Sequence, residues 1–222
     1  MSRSAVIRPR IVEVRERVLK QNDLLARELR QRFQEAGVRV VSMVSSPGAG
    51  KTTLLEKTLT ILSREYSVAA LVGDLATEND ALRLQRSGAP VKQITTGTTC
   101  HLDASMISAA LTDWNLKGFD ILFIENVGNL VCPSSYDLGE NLRAVLVSTT
   151  EGEDKPLKYP TIFNTADVAV VTKIDLAAVV EFDLKAVHRH IQTVRPGMRV
   201  VEVSSKTGTG IDAWLEAISF GI

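Results

Sequence analysis

The sequence has few cysteines, no excess of charge of either sign and no long apolar run. Cys100 and Cys132 are the only cysteines among 222 residues, which excludes a disulfide framework and favours a reducing compartment. With 26 basic and 26 acidic residues, the formal net charge is zero, so no bulk field draws the chain onto nucleic acid or a membrane. The apolar runs are far shorter than the ~20 residues of a membrane span. We therefore expect neither a nucleic-acid partner nor a membrane partner.

The composition and the opening segment favour a globular cytoplasmic protein. Hydrophobic residues make up 45% of the chain, a fraction typical of folded domains. The basic segment MSRSAVIRPR is followed by Glu13 and Glu16 rather than by an apolar stretch, which argues against a leader or transit peptide. A chain of this length suits one domain with a single core.

Helical and strand-like segments alternate along most of the chain. Over residues 9–36, Leu29, Phe33 and other apolar side chains recur at helical spacing, and Gly37 marks the expected end of a helix. From Val38 onward, short β-branched runs alternate with helical stretches, which is typical of a parallel sheet covered on both faces. The predicted fold class is α/β, with a mostly parallel, doubly wound sheet preceded by an N-terminal helix.

The pattern also predicts individual elements and a division of the chain. Residues 1–37 are predicted to form a helical segment packed on a nucleotide-binding domain of residues 38–222, which contains an inserted metal site. Seven apolar runs are predicted strands: VRVVSMV, SVAALVGD, VKQIT, FDILFIEN, LRAVLVSTT, DVAVVTK and RVVEVSS. Further helices are expected over 102–114 and near 77–87, 181–194 and 210–219, and the polar segment 150–160 is expected to be a mobile loop.

The segment SSPGAGKT lies between a predicted strand and a predicted helix, as a phosphate-binding P-loop must. Gly48 and Gly50 let the backbone turn its N–H groups toward phosphate oxygens, and the following helix adds its N-terminal dipole. Lys51 would reach the β- and γ-phosphates, and the Thr52 hydroxyl would bind Mg²⁺. Ser45 replaces the first glycine of the usual pattern. The nucleotide-binding residues predicted here are Pro47, Gly48, Ala49, Gly50, Lys51, Thr52 and Thr53.

A second motif favours guanine over adenine. VVTKID follows a predicted strand and resembles the N-K-x-D motif of GTPases, with Thr172 in place of Asn. The Asp175 carboxylate can accept hydrogen bonds from N1–H and the exocyclic amine of guanine, a donor pair that adenine lacks. Taken alone, Asp175 has the alternative of a helix N-cap. The segment VSSKTG resembles the last base-contacting loop of GTPases. The predicted base-binding residues are Lys173, Asp175, Ser204, Ser205 and Lys206.

Acidic residues end two predicted strands, at the edge of a parallel sheet where ligands bind. Asp74 closes SVAALVGD, and Glu125 closes the run FDILFIEN. Glu125 and Gly128 resemble the D-x-x-G switch of GTPases, here as E-N-V-G, in which the glycine N–H reaches the γ-phosphate. Either carboxylate could bind Mg²⁺ or orient the attacking water, and hydrolysis should be slow because no arginine finger is evident. The predicted catalytic residues are Lys51, Asp74, Glu125 and Gly128, and the predicted Mg²⁺ ligands are Thr52, Asp74 and Glu125.

Both cysteines lie near these nucleotide-sensing segments. Cys100 precedes His101 in TGTTCHLDA, and Cys132 follows Glu125 by seven residues. Thiolate and imidazole suit Ni²⁺ and Zn²⁺ rather than Mg²⁺. Three ligands do not close a tetrahedral shell, so a site at a two-fold interface is a natural arrangement. The alternative is that the cysteines are ordinary buried apolar residues.

Five segments, in chain order, resemble one family: SSPGAGKTT, GDLATENDALR, TTGTTCHLDA, ENVGNLVCP and VVTKIDL. From Val38 on, the chain is similar to the HypB family, the SIMIBI-class GTPases that incorporate nickel during maturation of nickel–iron hydrogenases. The resemblance implies GTP or GDP with Mg²⁺, and a homodimer stabilised by GTP that holds nickel or zinc at its interface through Cys100, His101 and Cys132. It also implies two partners, a small zinc-binding nickel chaperone and the hydrogenase large-subunit precursor.

Two features depart from that family pattern, and three alternatives stay open. Thr172 replaces an asparagine, and the sequence shows neither the N-terminal cysteine motif nor the histidine-rich tract of many members, so no separate tight or storage site is expected. One alternative is a urease-type nickel accessory GTPase, whose C-P-H motif is absent. Another is a regulatory switch with a structural zinc that ignores the nucleotide. The third is a P-loop ATPase, against which Asp175 and the S-S-K loop argue.

Overall fold

Seven parallel strands form the centre of the protein, for which a computed structural model describes residues 10–74 and 79–219, with the backbone alone over 10–15. The strands are β1 Arg39–Ser45, β2 Val68–Asp74, β3 Val91–Thr95, β4 Ile121–Glu125, β5 Leu142–Ser148, β6 Val168–Thr172 and β7 Arg199–Val203. They lie in the order β3-β2-β4-β1-β5-β6-β7, and each neighbouring pair is parallel. The seven predicted strands are confirmed, and the described sheet is entirely rather than mostly parallel.

Helices cover both faces of the sheet, which explains why its central strands are continuous apolar runs. The α-helices are α1 Arg10–Ala36, α2 Lys51–Leu62, α3 Asn79–Gln85, α4 Ala104–Ala110, α5 Lys155–Lys158, α6 Pro160–Thr165, α7 Leu184–Val194 and α8 Ile211–Ser219. One face packs on α2, α3 and α8, and the other packs on α1 and α4 at one side and on α6 and α7 at the other. The predicted α/β class with a leading helix is confirmed. Among the described helices, none is long and apolar enough to cross a membrane.

The predicted helix boundaries hold to within a few residues, with one clear exception. The segment 150–160, predicted to be a mobile loop, contains α5 and the start of α6. Its prolines, Pro156 and Pro160, lie in the first turn of these two helices, where a missing backbone N–H is no loss. Of the helix predicted near 77–87, residues 77 and 78 lie outside the described chain, as does residue 9 of the first helix.

The C-terminal half of α1 packs on the sheet face that also carries α4. Leu29 and Phe33, predicted on its apolar face, are almost fully buried among residues of β2, β4 and α4. Val18, one of the other apolar side chains at this helical spacing, is 48% exposed, so that part of the helix is not in the core. The helix ends at Ala36, and Gly37 follows in the left-handed backbone conformation that glycine tolerates best.

Candidate nucleotide and metal site

The P-loop joins β1 to α2 at the carboxyl edge of the sheet. Gly48 and Gly50 have φ values of +73° and +94°, which strain any other residue. Gly50 is the N-cap of α2, so the helix directs its first N–H groups at the cleft. A cavity of about 540 Å³ opens there and is lined by Lys51, Thr52 and other predicted site residues. The cavity also reaches the predicted carboxylates and switch glycine, namely Asp74, Glu125 and Gly128.

Ser45 gives the P-loop lysine a buried partner. The Nζ atom of Lys51 donates a 2.8 Å hydrogen bond to Oγ of Ser45, and this hydroxyl donates to the carbonyl oxygen of Ser46 at 2.6 Å. Burial lowers the pKa of Lys51 below its ordinary value, although the negative charge of Glu125 acts in the opposite direction. The residue that departs from the usual P-loop pattern therefore holds the ammonium group at the edge of the cleft.

Glu125 is buried at the floor of this cavity, with only 3% of its surface exposed. Its Oε1 accepts a 2.6 Å hydrogen bond from the Thr52 hydroxyl, whereas no donor in the described chain reaches its buried Oε2. Burial raises the pKa of Glu125 to about 7, against the opposing effect of Lys51. A carboxylate oxygen without a partner beside a threonine hydroxyl fits Mg²⁺, a hard cation that prefers oxygen ligands.

The stability of the nucleotide-free protein is expected to fall as the pH rises through 7 because of Glu125. Its carboxyl group binds a proton more tightly in the folded chain, where its pKa is about 7, than in the unfolded chain, where the pKa has its ordinary value of 4.5. The resulting stabilisation is complete below pH 4.5 and lost as the pH rises past 7. Between pH 5 and pH 8 the loss amounts to about 2–3 kcal/mol.

Urea unfolding of the wild type and of Glu125→Gln at pH 5 and pH 8 measures this loss. The amide is neutral at both pH values, so the variant should lack this part of the pH dependence while other groups titrate alike in both proteins. Equal pH dependence in the two proteins would show that Glu125 is already ionised at pH 5.

Gly128 places the E-N-V-G segment directly against the phosphate cradle. A Cβ atom at this position would lie 2.8 Å from Cα of Pro47, too close for any side chain without a shift of the P-loop backbone. The segment starts directly from the sheet, because the N–H of Asn126 donates to the carbonyl oxygen of Met43 in β1 at 3.0 Å. A ligand that fills the cradle must therefore meet this segment at Gly128.

A second cavity of about 230 Å³ is lined by four of the five predicted base-binding residues, all except Ser204, together with Thr53, Thr172 and others. The Thr172 hydroxyl donates a 2.6 Å hydrogen bond to the carbonyl oxygen of Ala49, so it links the segment that carries Lys173 and Asp175 to the P-loop. Lys173 has φ +58°, and its Nζ donates to the carbonyl oxygen of Gly48 at 2.7 Å. Ser204 is fully buried and donates to Oδ1 of Asp175 at 2.6 Å, so it holds this carboxylate from behind.

The three predicted nickel or zinc ligands form a cluster beside the phosphate cavity. The ligand atoms of Cys100, His101 and Cys132 lie within 4.8 Å of one another, and the two sulfurs are 3.0 Å apart. Neither cysteine forms a disulfide in the described chain, and the ring of His101 packs on Tyr136 with centroids 4.0 Å apart. Burial lowers the pKa of His101, which favours the neutral imidazole that binds metals. Two thiols and an imidazole suit Ni²⁺ or Zn²⁺, with coordination positions left for further ligands.

Several polar residues around these sites were not predicted from the sequence. Asp80 and Arg83 of α3 line the phosphate cavity, and Nε of Arg83 bonds Oε2 of Glu56 at 2.6 Å. Both belong to the segment GDLATENDALR, from which only Asp74, the acidic residue at the strand end, was predicted to take part in the site. Residues 75–78 of this segment lie outside the described chain. Two buried asparagines, Asn22 and Asn126, were also missed, because only their tertiary contacts distinguish them.

A parallel sheet of this order, with a P-loop after its central strand and an N-K-x-D-like loop at its edge, defines a P-loop protein of the GTPase fold. The sequence pattern of the CobW/HypB/UreG nucleotide-binding domain matches residues 39–202. The hydrogenase maturation factor HypB of Azotobacter chroococcum mcd 1 is 45% identical over 208 residues, which are 93% of this chain and 68% of that protein. The chain belongs to the HypB family of hydrogenase maturation factors, as the sequence resemblance predicted.

More distant relatives and solved structures agree with this assignment. The probable hydrogenase maturation factor HypB of Methanocaldococcus jannaschii is 42% identical over 208 residues, 94% of each chain. The crystal structure of HypB from Helicobacter pylori in complex with nickel has a TM-score of 0.83 and 42% identity, and the match covers 88% of this chain and 92% of that one. The nickel is a ligand of that relative.

Proposed function

We propose that this protein is a GTP-hydrolysing metallochaperone, which binds nickel or zinc and helps to insert nickel into the large subunit of nickel–iron hydrogenase. The observation that carries the proposal is one short segment, which begins at Glu125 on the floor of the phosphate cavity and ends at Cys132 in the thiol cluster. Family membership and the nickel-bound crystal structure of the Helicobacter pylori relative support nickel as the metal that is carried.

The phosphate cavity supplies the groups that hydrolysis of GTP requires. Lys51 and the N–H groups of the P-loop stabilise negative charge on the transferred phosphoryl group. Thr52, Asp74 and Glu125 would hold Mg²⁺, which supplies further positive charge at the phosphates. Glu125, with its raised pKa and unpaired Oε2, is also suited to orient water and accept its proton. Within the described chain, Arg83 is the arginine at this cavity, and its bond to Glu56 favours slow intrinsic turnover.

The nucleotide state would change the metal site through Gly128. Because Gly128 packs against Pro47, a γ-phosphate bound in the P-loop moves or fixes the segment that leads to Cys132. Metal affinity then differs between the GTP and GDP states, and by linkage the metal changes nucleotide affinity by the same factor. Hydrolysis would release nickel to the next protein in the delivery path.

The open metal shell favours a homodimer promoted by GTP and metal. Each chain supplies three ligands, and Val131 beside Cys132 is 61% exposed, so the cluster is near the surface. A second copy of the chain could therefore complete the coordination shell. The partners expected from the family are a small zinc-binding nickel chaperone and the hydrogenase large-subunit precursor. A cytoplasmic setting suits this role, because Cys100 and Cys132 bind metal only as reduced thiols.

Nickel titration of the reduced protein, with GDP and with a non-hydrolysable GTP analogue, tests the proposal while light scattering records the mass. We expect nickel affinity to differ at least tenfold between the two states, and the analogue with nickel to produce a dimer. Cys132→Ala should remove the difference, whereas His188→Ala should not, since His188 is not one of the clustered ligands and bonds Glu202. Tight zinc that ignores both nucleotides would instead support a regulatory switch with a structural zinc.

A further inference from the structure

Asn126 is a buried polar residue that lines the phosphate cavity but has no part in the nucleotide and metal chemistry above. It follows Glu125 and is only 2% exposed. Its Oδ1 accepts two hydrogen bonds of 2.9 Å, one from the N–H of Leu102 and one from the N–H of Val127. Leu102 directly follows His101, so one oxygen atom joins the end of β4 to the loop that carries two of the three thiol-cluster ligands.

Leu102 lies between the two strand ends that carry the carboxylates of the phosphate cavity. It is fully buried, and a Cβ atom on Gly73 would come within 2.7 Å of its Cγ. Gly73 precedes Asp74 at the end of β2, and Asn126 follows Glu125 at the end of β4. A movement of either strand end therefore reaches Leu102 through direct contact.

We name residues 100–104 the metal loop. Its far end is fixed to α1, because Oδ1 of Asn22 accepts from the N–H of Ala104 at 2.9 Å and Nδ2 of Asn22 donates to the carbonyl oxygen of Asp137 at 2.9 Å. Asn22 does not line the phosphate cavity. The metal loop is thus held at its far end by a residue of α1 and at its middle, Leu102, by the residue after Glu125.

We propose that Asn126 is a positioning residue that couples the nucleotide state to the Cys100–His101 half of the metal site. The inference rests on the proposed function and deepens it. Cys132 lies on the segment that begins at Glu125, so the backbone connects it directly to the phosphate cavity. Cys100 and His101 belong to a separate loop and have no such connection. The Asn126–Leu102 hydrogen bond supplies the missing link, with a weaker second contact of 3.3 Å from Nδ2 of Asn129 to the carbonyl oxygen of Cys100.

The bond is suited to this task because it is buried and because Oδ1 of Asn126 is the acceptor for the N–H of Leu102. A buried N–H without an acceptor is costly, so Leu102 follows Asn126 when Glu125 and Gly128 rearrange around a γ-phosphate. Both halves of the cluster then change together, and the spacing of its ligands is set by the nucleotide rather than by either loop alone.

Three variants and the nickel titration described above test this inference. In Asn126→Ala, the ratio of nickel affinities between the GTP-analogue and GDP states should fall from at least tenfold to less than threefold, with nickel still bound. Asn126→Asp keeps an acceptor oxygen and should restore part of the ratio. Asn22→Ala is the control away from the phosphate cavity: it removes the buried oxygen that accepts a 2.9 Å hydrogen bond from the N–H of Ala104 in the metal loop, and it should leave the ratio unchanged.

The outcomes separate the inference from the function on which it rests. A wild-type ratio near one overturns both. If the wild type shows the expected ratio of nickel affinities and Asn126→Ala keeps it, the coupling role of Asn126 is overturned but the proposed function stands. The same conclusion follows if Asn22→Ala loses the ratio as fully as Asn126→Ala does. If Asn126→Ala does not fold, the Leu102 amide resonance of the metal-free wild type decides. We expect its NMR shift to differ between GDP and the analogue, and an unchanged shift overturns the inference.

Discussion

Asp175→Asn is expected to weaken GTP binding about a thousandfold and to create a preference for xanthine nucleotides. Guanine offers two donors to the carboxylate, whereas an amide offers one oxygen and two N–H groups. Xanthine carries an oxygen where guanine carries its exocyclic amine, so it matches the amide. Because Ser204 donates to Oδ1 of Asp175, the introduced amide can keep this bond through its oxygen and direct its NH₂ at the base.

Competition between nucleotides for the purified protein measures this exchange of specificity. Ser204→Ala is the control, since it removes the buried hydroxyl behind the carboxylate without changing the carboxylate itself. It should weaken GTP binding by roughly tenfold or less and should not improve xanthine binding. An Asp175→Asn protein that still prefers GTP would show that Asp175 caps a turn and does not recognise the base.

Glu125→Gln is expected to lower kcat for GTP hydrolysis at least a hundredfold, while GTP affinity changes by less than about tenfold. The amide keeps the volume of the side chain and an oxygen that can accept from Thr52 at the position of Oε1. It loses the charge and the proton-accepting capacity of Oε2, the buried atom without a partner in the described chain. The loss therefore falls on the chemical step rather than on binding.

Single-turnover release of phosphate from bound GTP separates the two effects. Asp74→Asn is the informative comparison, because Asp74 lines the same cavity and is the other carboxylate at a strand end. If Glu125→Gln hydrolyses GTP at the wild-type rate and Asp74→Asn does not, the catalytic role belongs to Asp74. If both variants lose only affinity in proportion to Mg²⁺ concentration, both residues act as metal ligands.

Local patterns predicted most of the sheet, because its strands are buried on both faces. Every residue of β4 and β5 is buried, so the runs there are continuous and their strand character is clear. The loop predicted over 150–160 was wrong, because proline indicates a loop unless it is known to lie in the first turn of a helix. Pro156 and Pro160 in fact lie in the first turn of two short helices, and the second of these makes tertiary apolar contacts through Ile162 and Phe163.

The candidate site was predictable where its residues are neighbours in the sequence, and less so where the fold brings them together. The P-loop and the Cys100–His101 pair are local motifs. The brace from Thr172 to Ala49 spans 123 residues, and the bond from Leu102 to Asn126 spans 24. No local propensity marks a buried asparagine that satisfies a distant N–H, so Asn22 and Asn126 become visible only through their contacts.

The position of β1 has a consequence for synthesis of the chain. β1 is the first strand made, yet its two neighbours are β4 and β5, and its pairs join Arg39 to Ile121 and Val41 to Leu142. Such distant pairings slow folding, because a long stretch of chain must be ordered before either contact forms. On the ribosome, both thiols emerge before β5 is available to close the sheet. The nascent chain therefore presents Cys100 and Cys132 before β5 can complete the sheet that carries their loops.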